Sequence, residues 1–192
     1  MKRKNFDKIV TLVGAGLTVF LLVAAGLLNW GASFASDSVK SQLENQNISF
    51  PAADAMPEAT KEKLAKWADM KVTTGEMARD YSDLYIWEHM KGAAIGALGK
   101  PATYSEVSGM YMGLVRGGST DTAQIAKLGD LRETLFMGNT LRGMLLEAYA
   151  FGTMGVIAGY GAIAALVGGL VMLVLTIAGF VHIRRTPDSA TI

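Results

Sequence analysis

AYAFGTMGVIAGYGAIAALVGGLVMLVLTIAGFV, residues 148–181, decides the fold. Two tyrosines are its only ionisable side chains; Glu147 precedes it, and His182, Arg184 and Arg185 follow. At about 1.5 Å rise per residue, a helix of this length exceeds the roughly 20 residues needed to cross a bilayer core of about 30 Å. Residues 161–180 are the most lipid-like and would fill the hydrocarbon. Residues 148–160 would carry the same helix out through the headgroups.

A second run, IVTLVGAGLTVFLLVAAGLL at residues 9–28, follows Lys2, Arg3, Lys4 and Lys8 and stays free of charge until Asp37. Between the two runs the chain is polar, with twelve Lys/Arg and fifteen Asp/Glu over residues 37–147. Basic flanks stay on the cytoplasmic side, so both termini are expected inside the cell membrane and the middle outside. The fold expected is an all-α membrane protein, two transmembrane helices flanking a helical extracytoplasmic domain. Its parts are a basic tail (1–8), a first span (9–30), the outer domain (31–147), a second span with an outer extension (148–181) and a cytoplasmic tail (182–192). A cleaved signal is the other reading of the N-terminal run, because a basic start, an apolar stretch and small residues near 33–35 also describe one. The length of the run and Trp30 at its edge favour a retained span. The basic N-terminal tail reads as a topology determinant rather than a lipid-specific site.

Small residues thin out both spans. Gly14 and Thr18 lie one turn apart on the first; Gly152, Gly155 and Gly159 form a row on the second that includes a GxxxG. Such rows let another helix approach closely. The sequence leaves open whether that helix is the chain's own other span, a second copy or another membrane protein. Trp30, Tyr149, Phe151, Tyr160 and Phe180 sit where membrane-interface anchors belong.

The middle reads as helices throughout. After a continuation of the first span with Val39 and Leu43, residues 48–51 are expected to be extended, because the residue before Pro51 is driven from the α region. A helix with Leu64, Trp67 and Met70 as its apolar stripe is expected from Pro57. Thr73 or Thr74 caps the next, to about Ala97, with Met77, Tyr81, Leu84 and Met90 inward and an end at Gly99. A shorter helix begins near Ser105 with Val107 buried, and the last begins near Asp121 and leads into the second span. Gly138 and Gly143 are expected to kink it, because an unbroken helix over 121–181 would be about 90 Å long.

Catalytic chemistry finds little purchase. With no cysteine there is no disulfide, thiolate or iron–sulfur chemistry. The two histidines, His89 and His182, are far apart in sequence, and His89 has no histidine three or four residues away to build a zinc or copper site. No phosphate-binding loop occurs, and the near-neutral charge gives no reason to expect nucleic acid. Eleven methionines at apolar positions read as core filling. No charge lies inside either span to mark an ion route. The residues therefore point to no catalytic, cofactor or metal site and to a non-enzymatic membrane protein that works through helix contact. The alternative is an extracytoplasmic sensor or enzyme centred on His89.

NWGASFASDSVKSQLENQNISFP after the first run, TTGEMARDYSDLYIW, GKPATYSEVS and the closing VHIRR give the chain a particular layout. In these stretches it resembles the actinobacterial two-span family of respiratory supercomplex association factors, accessory subunits of the cytochrome bcc–aa3 assembly. The resemblance implies a place in electron transport. It also implies respiratory supercomplex subunits and membrane lipids as partners, with protein–protein contact as the function.

Overall fold

The computed structural model describes residues 2–191, and these are mostly helical with no strand among them. Six α-helices follow in order: α1 (Arg3–Gln46), α2 (Lys61–Leu64), α3 (Gly75–Asp80), α4 (Trp87–Leu98), α5 (Tyr104–Arg116) and α6 (Thr122–Arg185). α1 and α6 are long and apolar enough to cross a membrane by length and composition. The chain divides into two compact units, Met1–Asp37 with Met154–Ile192, and Ser38–Thr153.

The first unit is an antiparallel helix pair. On α6, Gly155, Ala162, Gly169, Thr176 and Ile183 recur every seven residues and are all buried; on α1, Thr11, Thr18 and Ala25 do the same. A seven-residue repeat holds one stripe of each helix against the other and imposes a left-handed supercoil. Contacts advance on one helix as they recede on the other: a Cβ on Gly155 would meet Ala35, on Gly161 Leu28, on Gly168 Leu21, on Gly14 Thr176 and on Gly179 Thr11. Small residues thus dominate the seam, with Leu21, Leu22 and Leu28 lying against its glycines. The bulky ones, such as Leu12, Val13, Phe20, Ile163, Val167 and Val174, point away from it and are exposed.

The second unit packs in the ordinary way, with large apolar side chains inside. One cluster joins Val39 and Leu43 of α1 to Phe50, Leu64, Val72, Met77 and Leu145; another joins Met90, Ala94, Val107, Leu128, Leu131 and Leu135. Residues 48–50 are extended as expected. The Phe50 N–H donates to Met70 O (2.9 Å) and the Val72 N–H to Ile48 O (2.9 Å). Three caps fix the helix starts. The Met77 N–H donates to Thr74 Oγ1, Thr103 and Glu106 form a reciprocal capping box, and the Gln124 N–H donates to Asp121 Oδ1. Gly99, at φ 73°, closes α4 in the left-handed conformation that glycine adopts without penalty.

Three features depart from the sequence reading. The helix expected from Pro57 is reduced to the single turn of α2 followed by a 3-10 turn, Ala65–Trp67, and Met70 is exposed. Leu64 is its one fully buried side chain, and the lysine-rich remainder gives a longer helix nothing to pack. Thr60 Oγ1 instead donates to Leu84 O (2.7 Å) and ties the turn to the next segment. Between α3 and α4, Tyr81–Ile86 winds as a π-helix. There Arg142 Nε donates to Ser82 O (3.2 Å), its Nη2 pairs with Asp83 (2.9 Å), and its guanidinium lies 4.5 Å from the centre of the Trp87 ring. Finally, α6 is unbroken at both Gly138 and Gly143. A Cβ on Gly138 would stand 2.6 Å from Met90 Sδ, so this glycine makes room for the Met90 side chain of α4.

Candidate functional site

The residues singled out in the sequence fall on two contact surfaces, one in each unit. In the helix pair, Thr18 Oγ1 donates to Gly14 O one turn back (2.8 Å) and lies 3.4 Å from Thr176 Oγ1 across the seam. Gly14 leaves room for that hydroxyl, since a Cβ there would be 3.1 Å from it. Further along, a Cβ on Gly155 would press on Ala35 Cβ at 2.9 Å and on Ala32 O at 3.4 Å, and one on Gly159 would touch Ala32 at 3.7 Å. Of the three possible neighbours, the chain's own α1 occupies the space beside Gly155 and Gly159. Two glycines further along the second helix make contacts as tight or tighter. Gly169 leaves 2.9 Å to Leu22, and Gly179 leaves 2.6 Å to Thr11 Oγ1. The signal for Gly169 is the seven-residue spacing; Gly179 lies three residues after Thr176, on the same face of the helix.

Gly152 belongs to the second unit. Its Cβ position lies 3.4 Å from Gly75 Cα, and that of Gly75 is 3.1 Å from Tyr149 Cα. Two glycines thus let the start of α3 rest on the backbone of α6, and only one of them was visible as part of a row.

The aromatic residues split in the same way. Trp30 and Tyr160 are largely exposed at one level of the pair, where Gly159 faces Ala32 and Gly161 faces Leu28; Trp30 stacks on Phe34 at 5.8 Å. Phe180 is exposed toward the opposite end. In the second unit Phe151 is partly exposed, while Tyr149 is half-buried with the Arg79 guanidinium 5.1 Å from its ring centre.

Arg79 also enters the most elaborate polar cluster of the second unit, built around the buried Asp80. Trp67 Nε1 donates to Asp80 Oδ2 (2.9 Å), Arg79 donates through Nε (3.0 Å) and Nη2 (2.8 Å) to Oδ1, and Lys66 Nζ lies 3.2 Å from Oδ2. Burial pushes the Asp80 carboxyl up, but the hydrogen bonds from Trp67, Arg79 and Lys66 outweigh it and hold the pKa below the ordinary aspartate value. Each carboxylate oxygen has its donors, so the cluster reads as a clasp between the 3-10 turn and α3.

His89 is exposed. Its Nδ1 lies 3.3 Å from Tyr85 O and its ring 4.5 Å from that of Tyr85. Among the described residues no group of three or more histidine, cysteine or carboxylate side chains is arranged to hold a metal. No protein-family model, no curated protein and no solved structure matches the chain.

Proposed function

We propose that the helix pair spans the cell membrane with both termini inside, and that the protein is an accessory subunit of a larger membrane complex. One observation carries the membrane reading: the apolar side chains of the pair face outward. In the most apolar window of α1 only 17% of residues are buried, and in that of α6 only 11%. The core helix of a water-soluble protein would hide most of them. The spacing of the aromatic residues supports it. Tyr160 and Phe180 are twenty residues apart on one helix. That is about 30 Å, the thickness of a hydrocarbon core. Lysine and arginine gather beyond the Phe180 end, which favours the cytoplasm there.

The accessory role rests on how the surfaces are used. Own-chain contacts fill the small-residue seam, so the outward faces are left for lipid and for partner helices. The resemblance to respiratory supercomplex association factors makes the bcc–aa3 supercomplex the partner we propose, with contacts through both the spans and the outer domain. Affinity purification of the full chain from native membranes, followed by mass spectrometry, should recover respiratory subunits in fixed ratio. Recovery of the protein alone, together with a turnover abolished by His89→Ala, would overturn the proposal in favour of a catalytic outer domain.

A further inference from the structure

Because the pair is antiparallel, its two charged tails come to the same end. The Arg3 N–H donates to Ala190 O (3.1 Å), and Lys4 Nζ pairs with Asp188 (2.7 Å). Six lysines and arginines (2, 3, 4, 8, 184 and 185) and His182 thereby face only two aspartates, Asp7 and Asp188. Asp188 is paired with Lys4. Asp7 Oδ2 is buried without a hydrogen bond, 3.6 Å from His182 Nε2 and 3.9 Å from Arg3 Nε. Lys8, Arg184 and Arg185 have no carboxylate within 4 Å among the described residues.

Beside this cluster a groove of about 350 Å³ runs between the helices, with Phe6, Val10 and Ala178 as its apolar walls and Gly179 where a side chain would close it. Asp7, Thr11 and His182 complete its lining. A groove with apolar walls at the end of the pair where six lysines and arginines outnumber two aspartates fits one amphiphile: an acyl chain lies in the groove and an anionic headgroup meets the surplus cations of that end. Four to eight basic residues just beyond a span attract anionic lipids, and basic pockets between spans bind such headgroups. Neither tail alone forms the pocket. We infer that the end of the helix pair formed by Lys8, Arg184, Arg185 and the groove between Val10 and Ala178 is a binding site for an anionic phospholipid. This rests on the membrane reading above and goes beyond it by naming the lipid class and the residues.

The full-length protein is to be reconstituted in nanodiscs of mixed phosphatidylcholine and phosphatidylglycerol. The lipids it retains after gentle detergent extraction are then read by native mass spectrometry. Phosphatidylglycerol should be retained in preference, and each of Lys8→Gln, Arg184→Gln and Arg185→Gln should cut that preference roughly fivefold. Ala178→Phe, which fills the groove and keeps every charge, should also lower retention, and millimolar inorganic phosphate should not displace the lipid. Equal retention of both lipids by a well-inserted protein would overturn the lipid site and leave the membrane reading intact. So would an unchanged preference in the triple variant, or displacement by phosphate. Failure to enter nanodiscs of either composition would overturn both.

Discussion

The helix pair and the second unit, Ser38–Thr153, solve the packing problem in opposite ways. In the pair, glycine, alanine and threonine lie inside and leucine, valine and phenylalanine mostly outside; in the domain, leucine, valine and methionine lie inside, and charged groups are tied up around the buried Asp80 and around Arg142. Where water is the solvent, burying large apolar groups is the gain, at about 25 cal/mol per Å². Where lipid is the solvent that gain vanishes, and helices associate through close backbone approach and a few hydrogen bonds. The contrast between the two regions is the one that a chain built against two solvents should display.

Side-chain truncation gives the largest expected contrast. Leu135→Ala, at a position 1% exposed in the second cluster, should cost about 2–5 kcal/mol of the second unit's stability, whereas Leu170→Ala on the exposed face of α6 should change pair stability by less than about 0.5 kcal/mol. Thermal unfolding in nanodiscs, followed by circular dichroism, separates the two. A comparable loss from Leu170→Ala would mean that its face packs against protein.

Added bulk should reverse the ranking. Gly155→Leu, facing Ala35 at 2.9 Å, should destabilise the pair by about 1–3 kcal/mol, and Gly16→Leu, with nothing within 4 Å, should do nothing. Oxidative cross-linking of cysteines placed by Leu28→Cys and Gly161→Cys reports the seam directly. Its yield should fall for Gly155→Leu and hold for Gly16→Leu. Equal yields would remove the close seam from the account.

A pH titration sharpens the domain side of the comparison. The folded pKa of Asp80 lies below its unfolded value of about 3.9, so its contribution is fully present above that value. The contribution is lost as pH falls through the lower folded value. Below about pH 4 the wild-type domain should lose stability faster than Asp80→Asn, with Trp67 fluorescence as the probe. Parallel loss in both would show that the carboxylate is not the clasp.

The smallest effect is expected at Thr18→Val, which keeps the shape and removes the hydroxyl 3.4 Å from Thr176. Hydrogen bonds between spans contribute about 0.6 kcal/mol on average, so the cross-linking yield should fall only slightly. Thr176→Val should match it, and the double variant should lose little more than either alone.

These contrasts were unevenly legible in the sequence. The two apolar runs stood out because their length has no other ready use, and a cap at Thr73 or Thr74, the helix start near Asp121 and the buried Val107 followed from local chemistry and helical spacing. Gly14, Gly155 and Gly159 were visible as small residues, but their partners were not, since one strand of sequence carries no register between helices. The pairing of Gly138 with Met90 and of Gly75 with Tyr149 was hidden for the same reason. The stretch after Pro57 had helical spacing, yet only Leu64 found a core, and tertiary hydrogen bonds from Thr60 and Trp67 set its shape instead. Asp7 and His182 are separated by nearly the whole chain, so their pairing waits on the antiparallel fold.

The account stands or falls on the pair crossing a membrane with both ends on the same, inner side. Single cysteines introduced as Ser105→Cys and Ser189→Cys, in a chain without native cysteine, can be probed in intact cells with a membrane-impermeant thiol reagent. The account predicts labelling at 105 in intact cells and at 189 only after permeabilisation. Labelling at 189 in intact cells, whether alone or together with 105, would contradict it.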